Sequence, residues 1–406
     1  MANFIYKVKD EQGKAYSAIS EAENAKSLKK TLRDRGWYVI SVHPAKEKIR
    51  AFFFLRRNVG LDALIMFTHQ LCSMLDAGIP VLNALDLLWK QTDNPDFQII
   101  ISQIRNSLAR GASFSESFNE FPEVFPPVYR ALLGVADIGA NLVKILRKLL
   151  EYLNNQREFM MKLKRAITYP AIVVVFAIVV VIIMLLWVIP VFQQVFRKIN
   201  VELPLFTQLV INISATMRTL TFWIIATMLS IGFFYICKKY SATEKGRDTI
   251  DRFKLKIPFF GKIIYAAAIS RTARSLSLLF GGGLPIAKSL EVARTTALNS
   301  RISKALAWVQ RRIIEGAPLG VSLAETKVFP SFLVEMVSVG EESGTLIEML
   351  DRISVHFEEE FDFRINRFLT TLEPMLIIFV GGLVVFILLS IYLPIFKLWG
   401  GLTGLR

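Results

Sequence analysis

Three long apolar runs interrupt an otherwise mixed pattern. They lie between Arg165 and Arg197, between Arg218 and Lys238, and between Glu373 and Lys397, and none contains Asp, Glu, Lys or Arg. Each is long enough for a helix to cross the ~30 Å of bilayer hydrocarbon. The first begins too far into the chain to be a signal peptide. Outside them, apolar residues recur at helical spacing in FTHQLCSMLDAG (67–78) and SRTARSLSLLFGGG (270–283). The first 45 residues read differently. FIYKVKD and KAYSAIS alternate like strands around the turn Asp10-Glu11-Gln12-Gly13. Glu21 to Arg35 reads as a helix ended by Gly36, and WYVISV reads as a strand. A small ββαβ unit is expected there. AKEKIRAFFFLRRN (45–58) is basic and aromatic, and is expected to lie on the membrane surface or to act as a link.

The two large segments between the apolar runs repeat each other. LCSMLDAGIPVLNALDLL (71–88) aligns with LSLLFGGGLPIAKSLEVA (276–293), placing Gly78 and Pro80 on Gly283 and Pro285. Gly111-Ala112 falls on Gly316-Ala317, Phe125-Pro126 on Phe329-Pro330, and Pro170 on Pro374. The repeat unit is therefore a helical domain of about six short helices followed by a membrane helix. In each Gly-x-Pro corner, Gly ends one helix and Pro sits in the opening turn of the next. Two tandem copies with their domains on one side of the membrane need an extra span between them. The second apolar run supplies it and has no counterpart in the repeat.

Charge sets the orientation. Of 49 Lys and Arg, 11 lie in 1–50, 13 in 51–165 and 20 in 238–367, against 3 in 197–218 and 2 beyond 396. The positive-inside rule puts the basic segments in the cytoplasm. Trp187, Trp223 and Trp399 fall at span ends on the outer side, where interfacial aromatics gather. The net charge of +15 thus has a topological and anionic-lipid explanation, and nucleic acid is not needed. The expected architecture is a predominantly α-helical integral membrane protein. It has a cytoplasmic ββαβ domain (1–50), helical repeat 1 (51–165) and a transmembrane helix (166–196). An outer loop (197–218), a second span (219–237), repeat 2 (238–373), a third span (374–396) and an outer tail (397–406) follow.

Catalytic chemistry finds no support. No GxxxxGK[ST], CxxC, HExxH or GxSxG occurs, so no catalytic or cofactor-binding residue is assigned. The spans carry no ionisable acid or base of the kind a proton relay or coupled transporter uses. That disfavours the competing classes, a transporter or channel and a membrane-bound sensor or enzyme. Two cysteines exclude a disulfide framework. Two acidic features remain. In VGEESGTLIEML (339–350), Gly340, Glu341, Ser343 and Gly344 mark a helix boundary at which Ser343 is expected to cap the next helix. In HFEEEFD (356–362), Glu358, Glu359, Glu360 and Asp362 read as a solvated helix face, with a basic docking partner or a weak divalent-cation site as the functional alternative. Glu373 stands at the start of the third span beside Pro374, as a helix-start carboxylate or a partner contact.

These features together resemble the inner-membrane platform proteins of type II secretion systems and type IV pili, the secretion F family. The resemblance rests on the N-terminal FIYKVKDEQGKAYSAISEAENAKSLKKTLRDRGWYVISV, the doubled Gly-x-Pro corner, VGEESGTL, Thr168-Tyr169-Pro170 and Leu372-Glu373-Pro374. It covers nearly the whole chain. One departure stands out: repeat 1 reads VADIGANL (135–142), so Ala136 and Asp137 stand where repeat 2 has Gly340 and Glu341. That puts the motif's role in repeat 1 in doubt, and substitutions at Glu341 or Gly344 are expected to matter more than those at Asp137 or Ala140. The resemblance implies a non-enzymatic factor of the bacterial inner membrane, with its N-terminus in the cytoplasm and its C-terminus in the periplasm. It further implies contact with a hexameric cytoplasmic secretion ATPase, with pilins or pseudopilins, with other inner-membrane assembly proteins and with copies of itself. The glycines Gly381 and Gly382 would let a helix pack closely against span three.

Overall fold

The computed structural model describes residues 2–9, 13, 15–34, 36–44, 59–137, 139, 141–198, 204–243, 246, 248–251, 253, 257, 260–297 and 299–403. The basic, aromatic stretch 45–58 and turn residues 10–12 lie outside the described residues.

The chain begins with strands β1 (Ala2–Lys9) and β2 (Ala15–Ala22), helix α1 (Ala25–Asp34) and strand β3 (Tyr38–Pro44). Both neighbours of β1 run antiparallel, in the order β2-β1-β3, with Phe4 opposite Ser20 and Val8 opposite Tyr16. The residues from Glu21 to Ala22, expected in the helix, belong to β2 instead; Asn24 accepts from Ser27 N and marks the true helix start. Phe4, Val8, Tyr16, Leu28 and Leu32 form the small core.

Repeat 1 follows as α2 (Leu61–Asp76), α3 (Val81–Gln91), α4 (Pro95–Ala109), α5 (Phe114–Asn119), α6 (Pro127–Ala136) and α7 (Leu142–Ile183). A π-helical turn (Met184–Val188) leads into α8 (Ile189–Lys198), then α9 (Leu205–Met217) and α10 (Leu220–Ala242). Repeat 2 comprises α11 (Phe260–Gly281), α12 (Ile286–Thr296), α13 (Ser300–Ile314), α14 (Leu319–Glu325), α15 (Ser331–Ser343) and α16 (Leu346–Thr403). The two sets match helix for helix.

The chain divides into two compact units. The first holds Met1–Met160 and Ala268–Phe357, and so contains the N-terminal sheet and the helical body of both repeats. One cluster among its described residues includes Phe67, Leu85, Ile101, Phe125, Tyr129 and Leu146, all nearly or fully buried. Tyr129 is capped by Thr68, hydroxyl to hydroxyl at 3.1 Å, and burial pushes its phenol far above the ordinary range. The sheet is held through its edge. Strand β2 has one side unpaired, and α4 presents Gln98, Ser102 and Asn106 to it at four-residue spacing. Gln98 Oε1 accepts from Ser17 N (2.9 Å), Ser102 Oγ from Ile19 N (3.4 Å), and Asn106 Nδ2 donates to Ile19 O (3.2 Å). Trp89 Nε1 adds a bond to Ser17 O. The side-chain row thus does for the edge what another strand would do.

The second unit holds Met161–Ala267 and Glu358–Arg406, including the three apolar stretches. Helix α10 is exposed on every side by apolar residues such as Ile224, Met228, Phe233 and Phe234. Three such helices need a hydrocarbon surround. The expected outer loop 197–218 is not all loop: α9 occupies most of it. Thr207 Oγ1 donates to Ser390 O at 2.9 Å, Ser214 Oγ donates to Leu185 O, and Val210 and Ile211 pack with Ile189 and Ile391. The last element also extends past the expected end of span three, to Thr403. Pro170 and Pro374 lie inside α7 and α16, each removing one backbone donor without ending the helix.

Candidate functional site

The Gly-x-Pro corners come first along each repeat. Gly78 and Gly283 take φ of +81° and +92°, a left-handed turn open to glycine, and each closes the preceding helix. Pro80 and Pro285 are the N-cap residues, with ψ of 143° and 146°, one position earlier than the opening turn expected from sequence. Their carbonyls accept from Ala84 N and Ser289 N at 3.0 and 2.9 Å. An extended ψ at proline lets its oxygen start the helix while its ring fixes the turn.

The second feature was only half visible in the sequence. Helices α5 and α14 are a turn or two long and cannot hold themselves together. In repeat 2, Glu341 near the end of α15 reaches their first free amides: Leu319 N donates to Oε1 at 2.7 Å and Gly320 N to Oε2 at 2.9 Å. In repeat 1, Asp137 does the same from the end of α6. Phe114 N donates to Oδ1 at 2.7 Å and Ser115 N to Oδ2 at 2.9 Å. A carboxylate on a helix N-terminus meets both orphan donors and the positive end of the dipole. The expected loss of this motif from repeat 1 is therefore corrected: Asp137, one methylene shorter, makes the same two-pronged clamp. Ser113 completes α5 with a capping box to Glu116.

The helix pairs so clamped approach closely, and each uses one small residue. A Cβ on Gly320 would lie 2.1 Å from Ser338 Oγ and 3.0 Å from its Cα. Repeat 1 carries the reverse pair, Ser115 against Gly134, where a Cβ would lie 3.4 Å from Ser115 Oγ. Gly340 is equally tight, since its Cβ would fall 2.8 Å from Met349 Cγ and 3.0 Å from Leu346 Cα. Gly344, at φ +72°, ends α15. Ser343 does not cap the next helix as expected. It is the last residue of α15, and its hydroxyl donates back to Val339 O (2.7 Å) and pairs with Thr345.

Beside Gly344 opens a groove of about 490 Å³ between the two repeats, bordered by Lys148, Glu151, Arg274, Glu348 and Asp351. Arg274, largely buried, bonds Asp351 at 2.6 Å and lies 3.8 Å from Glu151.

The acidic run 358–362 is partly occupied from within the chain. Lys162 Nζ lies 2.7 Å from Asp362 and 3.7 Å from Glu358, and Arg364 bonds Glu360. These internal partners take up three of its four carboxylates, which weakens the docking and cation readings. Among the described residues, no group of three or more His, Cys, Asp or Glu gathers as a metal set. Glu373 is exposed inside α16, one residue before Pro374. The arrangement is a set of helix-end clamps and close-packed small residues, built twice, with one groove between the repeats.

Comparison with known proteins matches the same duplication. A family model described as "Type II secretion system (T2SS), protein F" matches residues 67–190 and again 272–394, and its N-terminal-domain companion matches 1–43. A type IV pilus assembly protein PilC from Thermus thermophilus is 34% identical over 99% of this chain and 100% of its own length. A protein of the same name from Pseudomonas aeruginosa is 33% identical over 93% and 100%. A type II secretion system protein F from Vibrio cholerae is 26% identical over 98% of each.

Proposed function

We propose that this chain, which belongs to the type II secretion system protein F family, is the inner-membrane platform on which a type IV pilus or type II secretion machine assembles its fibre. The observation that carries the reading is the duplication. The family match occurs twice, and each copy ends in an apolar helix, with a third, unrepeated helix between them. The higher identity of the pilus-assembly relatives favours the pilus form of the machine.

In this reading the basic body, holding the sheet and both repeats, faces the cytoplasm, and α9 lies on the periplasmic side. A hexameric secretion ATPase works against the cytoplasmic body. The rigid, clamped helix ends pass its motion to the spans, and pilins or pseudopilins leave the bilayer beside them. Two features support a mechanical rather than a chemical role. The spans carry no ionisable group for a proton or ion path. The helix ends are tied by short charge-assisted bonds rather than left to fray.

Co-purification from membranes tests this. The full chain, co-expressed with the secretion ATPase encoded beside it, should retain that ATPase in mild detergent. A cysteine placed in 205–217 should react with an impermeant maleimide from the periplasm, whereas one placed in 15–22 should not. Absence of the ATPase from a well-folded preparation would remove the proposed route for force. Reversed labelling would overturn the orientation.

A further inference from the structure

Within the first compact unit, the two repeats pack through unlike faces. Repeat 2 contributes its Gly281–Gly283 corner and α12. Repeat 1 contributes α6 and the start of α7. A Cβ on Gly282 would lie 2.4 Å from Leu132 Cδ2, and one on Gly283 4.0 Å from Val135 Cγ1. Lys148 donates to Gly281 O, placing a cation on the C-terminal carbonyls of α11. Leu278, Leu279 and Val292 of repeat 2 join the core of repeat 1.

Each repeat carries both faces, so one of each is left over. Repeat 1 keeps its own corner, Asp76-Ala77-Gly78, with α3 behind it. Repeat 2 keeps its α15 and α16 face. Val292 is 9% exposed, while its counterpart Leu87 is 41% exposed. Val135 is half-buried, while its counterpart Val339 is 55% exposed, and Ile347 nearby is 48% exposed. The charges at these positions are spent within the chain: Arg352, the counterpart of Lys148, bonds Glu348 at 2.6 Å, and Asp76, the counterpart of Gly281, bonds Arg147 at 2.7 Å, so the apolar residues carry the match. Glu151 and Arg274 have Val355 and His69 as counterparts, so the free faces lack that carboxylate and guanidinium.

We propose that a second copy of this chain docks its repeat 1 corner on the α15–α16 face of repeat 2, repeating between chains the packing already made within one. This goes beyond the platform reading, because it rests on the duplicated faces alone. Such a contact is heterologous: every added chain leaves one corner and one acceptor face free. It builds a closed ring or an open array, not a two-fold dimer.

The test is cysteine cross-linking in membranes, with Cys72→Ser and Cys237→Ser as background. The in-chain pair Gly282–Leu132 maps to Ala77–Met336 between chains. Ala77→Cys alone and Met336→Cys alone should give no cross-linked dimer. The two single variants co-expressed should give a dimer, and the double variant a ladder of multimers. Self-cross-linking of either single variant, no cross-link in any combination, or cross-links only to a different protein would each overturn the proposal. If the cysteine variants do not accumulate, charges placed on the exposed apolar residues decide. Leu87→Arg and Val339→Asp, both at positions open to solvent in the single chain, should each shrink the detergent-purified oligomer. Unchanged size in both would overturn it.

Discussion

Removing the Glu341 carboxylate should loosen α14 selectively. The substitution Glu341→Ala leaves Leu319 N and Gly320 N without their acceptors at 2.7 and 2.9 Å. A hydrogen bond to a charged group contributes roughly 1.5–3 kcal/mol, and loss of a helix N-cap costs about 0.5–2 kcal/mol. The site is only partly buried, so water recovers part of both bonds. The expected cost is about 2–4 kcal/mol of local stability. At roughly 1.4 kcal/mol per decade, that is about a 30- to 1,000-fold loss of amide protection across 319–325. Asp137→Ala should act alike on 114–119 but more weakly, about 1–2 kcal/mol, because that clamp is exposed. Hydrogen exchange with peptide mass spectrometry on the detergent-solubilised chain reads both segments at once. Glu341→Asp should recover less than wild-type protection, since the shorter side chain must strain to reach. Unchanged exchange in 319–325 after Glu341→Ala, or a loss spread evenly over the molecule, would refute the clamp.

Other outcomes follow from the same contacts. Gly320→Ala should lower the midpoint of thermal unfolding, by an overpacking cost of about 1–3 kcal/mol against Ser338, and adding Ser338→Gly should restore most of it, as the reversed pair in repeat 1 already does. Replacing Gln98 and Asn106 together by Leu should free the β2 edge, and limited proteolysis should then cut within residues 1–44 while the rest of the chain stays intact. Lys162→Ala should cost less than about 1 kcal/mol in a double-mutant cycle with Asp362→Ala, because both side chains are about a third exposed. Burial pushes the Cys72 thiol up, with Arg147 partly opposing the shift, so thiolate is scarcer at pH 8 than for a free cysteine. Maleimide should modify it at least about tenfold more slowly than an unstructured thiol, and denaturant should abolish the difference.

How much of this the sequence discloses depends on the kind of signal. The three spans are plain, because a helix in hydrocarbon admits no charge and the runs contain none. The repeat is plain at Gly78 and Gly283, where positive φ restricts the residue, and at Pro80 and Pro285, where a ring starts a helix. The clamp was hidden at Asp137, since a shorter acid in an altered motif looks like loss, while the geometry shows only that a shorter arm suffices. The exchange of Gly320 and Ser338 for Ser115 and Gly134 is invisible in one dimension. Each residue alone looks unremarked, and the constraint is on the pair. Helix α9 was missed because LFTQLVINISATM is brief and mixed. Two of its polar members, Thr207 and Ser214, are spent on carbonyls of Ser390 and Leu185 rather than on water. The row Gln98, Ser102, Asn106 read as an ordinary polar helix stripe, because nothing local says that a strand edge lies against it.

The most direct test of the platform account is made in cells. In a bacterium whose copy of this gene is deleted, pilin or pseudopilin should still be made and should remain in the inner membrane, while no fibre is assembled. The full chain supplied in trans should restore fibres. Fibres of normal number in the deletion strain, with the other assembly proteins intact, would contradict the account at its centre.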